Sequence, residues 1–150
     1  IPLRLVGSEM CIRDRAGAVA DSEAAPSSRW NEVKFKKDGA LSLTPDLTDG
    51  TVYMDEYVNY LVQTLGDAST STGMQGYSLD NEPVLWNDTH SLLHPNEVSN
   101  QELVSKSIEL SAAVKDVDSK AEIFGPAFWG CFRVSMEVME KIIQIQIGML

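Results

Sequence analysis

The sequence has few basic residues. Lys and Arg number 12 against 22 Asp and Glu, which gives a formal net charge of −10 and a pI near 4.5. Nucleic acids and anionic membrane surfaces are bound by clustered Lys and Arg, so this composition argues against both as partners. A neutral polysaccharide remains compatible with the charge.

Cysteines and long apolar runs are also scarce. The two cysteines, Cys11 and Cys131, cannot define a disulfide framework and leave the redox compartment open. No apolar run approaches the roughly 20 residues that a membrane-spanning helix needs. The 150 residues can hold one ordinary domain, whereas a complete (β/α)8 barrel typically takes about 250.

The most informative stretch is residues 76–86, GYSLDNEPVLW, in which a half-apolar run ends in Asp-Asn-Glu-Pro at Pro83. Pro83 has no N–H to donate to a β-ladder, so the pattern predicts a short strand followed by a loop. In a parallel α/β barrel, side chains at the carboxyl ends of the strands point into a cleft. Glu82 is therefore predicted to lie at the rim of such a cleft.

These residue types suit sugar chemistry. Glycosidic cleavage needs one carboxylic acid that protonates the leaving oxygen and a second carboxylate across the scissile bond. Glu82 fits the first role, Asn81 can donate to a sugar hydroxyl or to the partner carboxylate, and Trp86 offers an apolar face to a pyranose. The alternative is that Asn-Glu-Pro only ends a strand and caps the next element, with Trp86 in ordinary core packing.

Residues 79–95 resemble a segment of glycoside hydrolase family 44, the endo-β-1,4-glucanases and xyloglucanases. The shared pattern is Leu-Asp-Asn-Glu-Pro-x-Leu-Trp, followed by Thr-His and His-Pro. Residues 25–33 (APSSRWNEV), 45–49 (PDLTD) and 52–62 (VYMDEYVNYLV) resemble other family segments in the same order. The resemblance covers residues 16–130 and implies an α/β fold, namely a fragment of a (β/α)8 TIM-type barrel with parallel strands.

The resemblance also implies the activity: a retaining, endo-acting hydrolase of β-1,4-glucan such as cellulose or xyloglucan. Glu82 would be the general acid/base, and no residue of this sequence matches the family's nucleophile, which comes from a much later strand. We therefore expect this chain to be inactive on β-glucan by itself. The resemblance implies secretion to the extracellular space, and it leaves the oligomeric state and the preferred glucan open.

Three further side chains are candidate sugar contacts. Trp30 either faces the cleft or packs in its loop, and Trp129 would reach the same rim as Glu82, either against sugar or in packing. His90 belongs to the Thr-His pair of the resembled motif. The chemistry requires no cofactor, but the family carries calcium, so Asp46 and Asp49 either share a structural calcium or cap and solvate their own loop.

Helical and strand patterns surround the motif. An N-cap at Asp49 or Thr51 and a stop at Gly66 predict a helix that ends near Leu65. Ser99 begins a capping box and a second helix that runs to about Lys115 or Val117, and residues 121–130 are predicted to form the next strand and its exit. Strand, helix and strand at this spacing predict a parallel crossover unit.

The ends of the chain differ from the rest. Residues 1–15 resemble the in-frame translation of a sequencing adapter and are predicted to lie outside the domain. Residues 131–150 depart from the family pattern and have no assigned role. Two other classes remain as alternatives: a non-catalytic carbohydrate-binding module, and a structural α/β domain in which Glu82 merely ends a strand.

Overall fold

The computed structural model describes residues 20–46 and 48–128, so the predictions for residues 1–15, for Trp129 and for residues 131–150 lie outside the described residues. The main elements in chain order are β1 (Glu32–Lys34), β2 (Thr51–Tyr53), α1 (Met54–Leu65), β3 (Gly76–Ser78), α2 (Trp86–Thr89), α3 (Asn100–Val117) and β4 (Glu122–Phe124). Single 3₁₀ turns occupy Asp21–Glu23 and Pro83–Leu85.

The two strands that flank α3 form a parallel pair. Gly76 lies opposite Glu122, and Ser78 lies opposite Phe124. Gly76 has no room for a side chain, since a Cβ there would stand 2.5 Å from the Phe124 ring. This β3–α3–β4 unit confirms the predicted crossover and gives the described chain a mixed α/β architecture with short parallel sheets.

Helix α1 ends where the sequence predicted but begins differently. Gly66 follows its last turn with φ +94°, a conformation that glycine adopts without the steric cost of a Cβ. The predicted N-cap residue Thr51 instead lies in β2, which pairs with β1 in parallel, and Tyr53 is the N-cap. β-Branched and aromatic residues favour a strand once a partner strand is present, and that partner is remote in sequence.

The core lies where α1 packs against α3. Its buried apolar side chains include Val58 of α1 and Leu103 and Val114 of α3. Helix α3 begins at the predicted cap, because the Ser99 hydroxyl accepts a hydrogen bond from the Glu102 N–H at 3.1 Å. No helix within residues 20–46 and 48–128 combines the length and hydropathy that crossing a bilayer requires.

Two buried carboxylates fasten loops to this helix pair. Asp118, 2% exposed, accepts the Ala68 N–H at 2.9 Å and the Lys120 N–H at 3.1 Å, which ties the end of α3 to the loop after α1. Glu56, 7% exposed, accepts the Ser42 N–H at 2.8 Å and a hydrogen bond from the Lys37 ammonium. The Lys37 hydrogen bond lowers the pKa of Glu56 despite the opposing effect of burial.

We expect Asp118→Ala to lower the free energy of unfolding by about 2 kcal/mol, because the buried Ala68 N–H loses its acceptor. Urea titration followed by circular dichroism measures the change. The matched control is Asp116→Ala, whose carboxylate is 58% exposed in a surface pair with Lys36 and should contribute little. Equal losses in the two variants would contradict the anchoring role of Asp118.

The Glu56 carboxylate should make stability depend on acid pH. Its pKa in the folded chain lies below the ordinary value of 4.5, so its contribution is present above pH 4.5 and is lost as the pH falls through the folded-state pKa. Unfolding free energies measured between about pH 3 and pH 6 should therefore fall less steeply toward acid in Glu56→Gln than in the unchanged chain. Glu109→Gln, an exposed position on α3, should keep the original slope; an unchanged slope in Glu56→Gln would refute this role.

Candidate active site

The Asp-Asn-Glu-Pro segment lies at the carboxyl end of β3. Strand β3 ends at Ser78, and Pro83 opens the 3₁₀ turn Pro83–Leu85. The pairing with the β4 side continues past both strands, since Asn81 forms an isolated parallel bridge with Ala127. Glu82 is thus placed at the carboxyl edge of the parallel pair, where β/α enzymes carry their catalytic groups.

Backbone hydrogen bonds hold this edge together. The Ala127 N–H donates to the Asp80 carbonyl at 3.0 Å, and the Glu82 N–H donates to the Ala127 carbonyl at 2.7 Å. The Leu85 N–H closes the following turn on the Glu82 carbonyl at 2.9 Å. Both backbone polar groups of Glu82 are therefore engaged.

Glu82 has an unusual backbone conformation. Its φ of 55° and ψ of 47° are left-handed, and it is the single non-glycine residue with positive φ in the described ranges. This conformation costs an L-residue roughly 1–2 kcal/mol and is found where surrounding contacts fix it, often at functional sites. The carboxylate is half-buried and forms no hydrogen bond or ion pair with any other described residue.

Trp86 packs against protein groups. Its indole N–H donates to Asp80 Oδ2 at 2.8 Å, and its ring centroid lies 5.2 Å from that of His94. The Lys106 ammonium of α3 lies 5.4 Å from the same ring centroid, within the range of a cation–π contact. These contacts direct the indole toward α3.

His94 links Trp86 to α3. Its Nε2 lies 2.9 Å from Glu102 Oε1, and its Nδ1 lies 2.7 Å from the Asn96 carbonyl oxygen. Burial alone would raise the pKa of Glu102, but the hydrogen bonds and charges of His94 and Lys106 outweigh it and lower that pKa. The ionised carboxylate and the carbonyl are both acceptors, so the His94 ring satisfies both only when it donates from both nitrogens.

The other predicted sugar contacts are Asn81, His90 and Trp30, and none of them takes part in the contacts of Trp86 with Asp80, His94 and Lys106. Asn81 is exposed, and its side-chain amide has no hydrogen-bond partner among the described residues. His90 is exposed at the end of α2, with Nδ1 2.8 Å from Thr89 Oγ1. Trp30 is half-buried and donates its indole N–H to the Glu23 carbonyl at 2.7 Å. No hydrogen bond or ring contact joins Trp30 to Glu82 within the part of the chain that the structure describes.

The predicted calcium ligands, Asp46 and Asp49, accept hydrogen bonds from residues two positions further along the chain. Asp46 Oδ1 accepts the Thr48 N–H and hydroxyl at 2.8 and 2.6 Å, and those bonds lower the pKa of Asp46. Asp49 Oδ1 accepts the Thr51 N–H at 2.8 Å. The described residues contain no group of three or more His, Cys, Asp or Glu side chains that could hold a metal. Calcium takes six to eight oxygen ligands, and the side chains of two aspartates do not supply that number. The calcium site therefore stays a prediction.

A cavity of about 240 Å³ lies between the motif and α3. Its walls include Leu79, Asp80, Trp86, Leu103 and Pro126, and Glu82 is not among them. The cavity therefore lies on the α3 side of the motif, and the Glu82 side chain does not line it.

Sequence reasoning missed Asp80. Its Oδ1 accepts the Asn81 N–H at 2.7 Å, and its Oδ2 accepts the Trp86 indole N–H. The tendency of aspartate to bond nearby backbone N–H groups in turns was a signal for the first contact. No local signal in the sequence indicates the second.

Several known proteins are similar to this chain in sequence. The sequence profile described as glycoside hydrolase family 44 matches residues 12–140. Endoglucanase A of Paenibacillus lautus is 59% identical over 118 residues, which are 79% of this chain and 17% of that protein.

Two solved structures are also similar. The family 44 endoglucanase from Clostridium thermocellum is 61% identical, with a TM-score of 0.72, over 73% of this chain and 22% of that chain. A Paenibacillus polymyxa xyloglucanase of the family, solved with xyloglucan, is 53% identical, with a TM-score of 0.72, over 75% of this chain and 22% of that chain. This chain spans less than a quarter of each of these relatives. The profile match and these identities establish that it belongs to glycoside hydrolase family 44.

Proposed function

We propose that this chain is the acid/base segment of a retaining β-1,4-glucan hydrolase, with Glu82 as the general acid/base. The observation that carries the proposal is the left-handed backbone of Glu82 at the carboxyl end of β3. A carboxylate fixed there, with no partner among the described residues, is available to a glycosidic oxygen.

In the proposed mechanism, the Glu82 carboxyl group donates its proton to the departing glycosidic oxygen while a second carboxylate attacks the anomeric carbon. A covalent glycosyl-enzyme forms, and Glu82 then takes a proton from the water that hydrolyses it. Retention requires the two carboxyl groups to lie about 5–5.5 Å apart. We assign the second carboxylate, and the rest of the barrel, to the parts of the family enzymes that this chain does not match.

The side chains near Glu82 would orient the substrate. The exposed amide of Asn81 can hydrogen-bond a sugar hydroxyl or the second carboxylate, and His90 offers a polar group beyond it. Trp30 and Trp129 remain candidate stacking surfaces.

We infer β-glucan as the substrate class from the names of two relatives, an endoglucanase and a xyloglucanase. The net charge of −10 is compatible with a neutral polymer. An extracellular location is part of the proposal, because a polymeric glucan is degraded outside the cell. A non-catalytic binding module is the second candidate, but such modules are typically all-β, whereas β3, α3 and β4 form a parallel crossover unit.

The test uses a chimera in which the matched part of this chain replaces the corresponding segment of the Clostridium thermocellum endoglucanase. We expect the chimera to hydrolyse β-glucan and Glu82→Gln to reduce kcat/KM by about 10²–10⁴-fold, because the amide cannot transfer the proton. Reducing-end release measures the rate. This 150-residue chain by itself is expected to release no sugar, because we assign the second carboxylate to a part of the family enzymes that it does not match.

The matched control is Glu109→Gln, the same chemical change at an exposed position of α3, which should leave the rate of the chimera unchanged. A chimera whose Glu82→Gln variant keeps its activity would overturn the assignment of Glu82. Hydrolysis by this chain alone that disappears in Glu82→Gln would show that the second carboxylate lies within these 150 residues.

A further inference from the structure

The carboxylate of Asp80 joins the two ends of the turn that carries Glu82. One oxygen accepts the Asn81 N–H at 2.7 Å, and the other accepts the Trp86 indole N–H at 2.8 Å. The Asp80 carbonyl also accepts the Ala127 N–H at 3.0 Å. A single residue thus binds the start of the turn, its end and the neighbouring β4 segment.

The turn needs such support because of the conformation at Glu82. A left-handed glutamate is less favourable than a right-handed one by roughly 1–2 kcal/mol, so the turn keeps this shape only while its surroundings enforce it. The Glu82 N–H reaches the Ala127 carbonyl at 2.7 Å in this conformation. If the turn relaxes, that hydrogen bond lengthens and the carboxylate changes direction.

Trp86 provides a fixed point for the Asp80 carboxylate. Its ring is held by His94 and by the Lys106 ammonium, and His94 is itself bonded to Glu102 of α3. Asp80 Oδ2 is therefore connected to helix α3 through the indole of Trp86. The indole is thus engaged by protein groups both at its N–H and at its ring.

We propose that Asp80 is a positioning residue that holds the Glu82 carboxylate in its catalytic direction through the hydrogen bond to Trp86. The proposal rests on the proposed function for its catalytic consequence, but its structural part is independent of activity. Asp80 acts through the turn and touches no reacting atom in this account.

The first experiment measures amide hydrogen exchange by NMR on the full chain. In Asp80→Asn, which loses at least one of the two acceptor contacts, exchange at the Glu82 N–H should accelerate by about tenfold. Trp86→Phe, which keeps an aromatic ring and removes the indole donor, should have the same effect. The Leu79 N–H, which donates to the Phe124 carbonyl in the same ladder, should keep its rate.

The control is Asp116→Asn, the same substitution at an exposed carboxylate, which should leave the Glu82 amide unchanged. Unchanged exchange at Glu82 in Asp80→Asn would overturn the proposal. Equal acceleration at Glu82 and Leu79 would also overturn it, because Asp80 would then support the fold as a whole.

The second experiment measures the chimera described above with two substrates. In Asp80→Asn we expect kcat on β-glucan to fall about tenfold with KM within twofold. First-turnover release of dinitrophenolate from dinitrophenyl β-cellobioside should change less than twofold, because that leaving group departs without a proton. Equal losses on both substrates would refute positioning of the acid. If Glu82→Gln leaves the chimera active, the proposed function fails, while the exchange result still decides the role of Asp80 in the turn.

Discussion

The arrangement of the site depends on the parallel pairing of β3 with β4 and on its continuation past the ends of both strands. The hydrogen bonds between residues 80–82 and Ala127 bring the Asp-Asn-Glu-Pro segment to the carboxyl edge of the sheet. Helix α3 supplies the connection that makes the pair parallel, and its burial against α1 stabilises that connection. The location of Glu82 thus follows from the packing of a helix pair remote from it in sequence.

At the carboxyl edge of the β3–β4 pair, the side chains of Asp80 and Glu82 have different surroundings. Asp80 faces the α3 side with Trp86, His94 and Glu102, whereas Glu82 follows it with a left-handed backbone and a carboxylate free of partners among the described residues. Asp80 and Glu82, which are separated only by Asn81, therefore differ in their contacts. The Asp80 carboxylate accepts internal hydrogen bonds, whereas the Glu82 carboxylate has no partner among the described residues.

The sequence predicted those features that local chemistry determines. Ser99 and Gly66 mark helix ends because a hydroxyl cap and a positive φ act within one turn of the chain. Strand β2 was not predicted, because Thr51–Tyr53 become a strand only through pairing with β1. For the same reason the contact of Trp86 with His94 and Lys106 could not be anticipated, since it needs α3 in place. The parallel crossover was predictable, and the family resemblance supplied the expectation that its carboxyl edge carries the acid.

The role of Glu82 as general acid/base is tested most directly by a crystal structure of the chimeric enzyme carrying Glu82→Gln with a β-glucan oligosaccharide bound. We expect the side chain at position 82 to lie within about 3 Å of a glycosidic oxygen. We also expect a second carboxyl group about 5–5.5 Å from that side chain, on the other side of the bond. An oligosaccharide bound elsewhere, or a side chain at position 82 directed away from the glycosidic bond, would contradict this role.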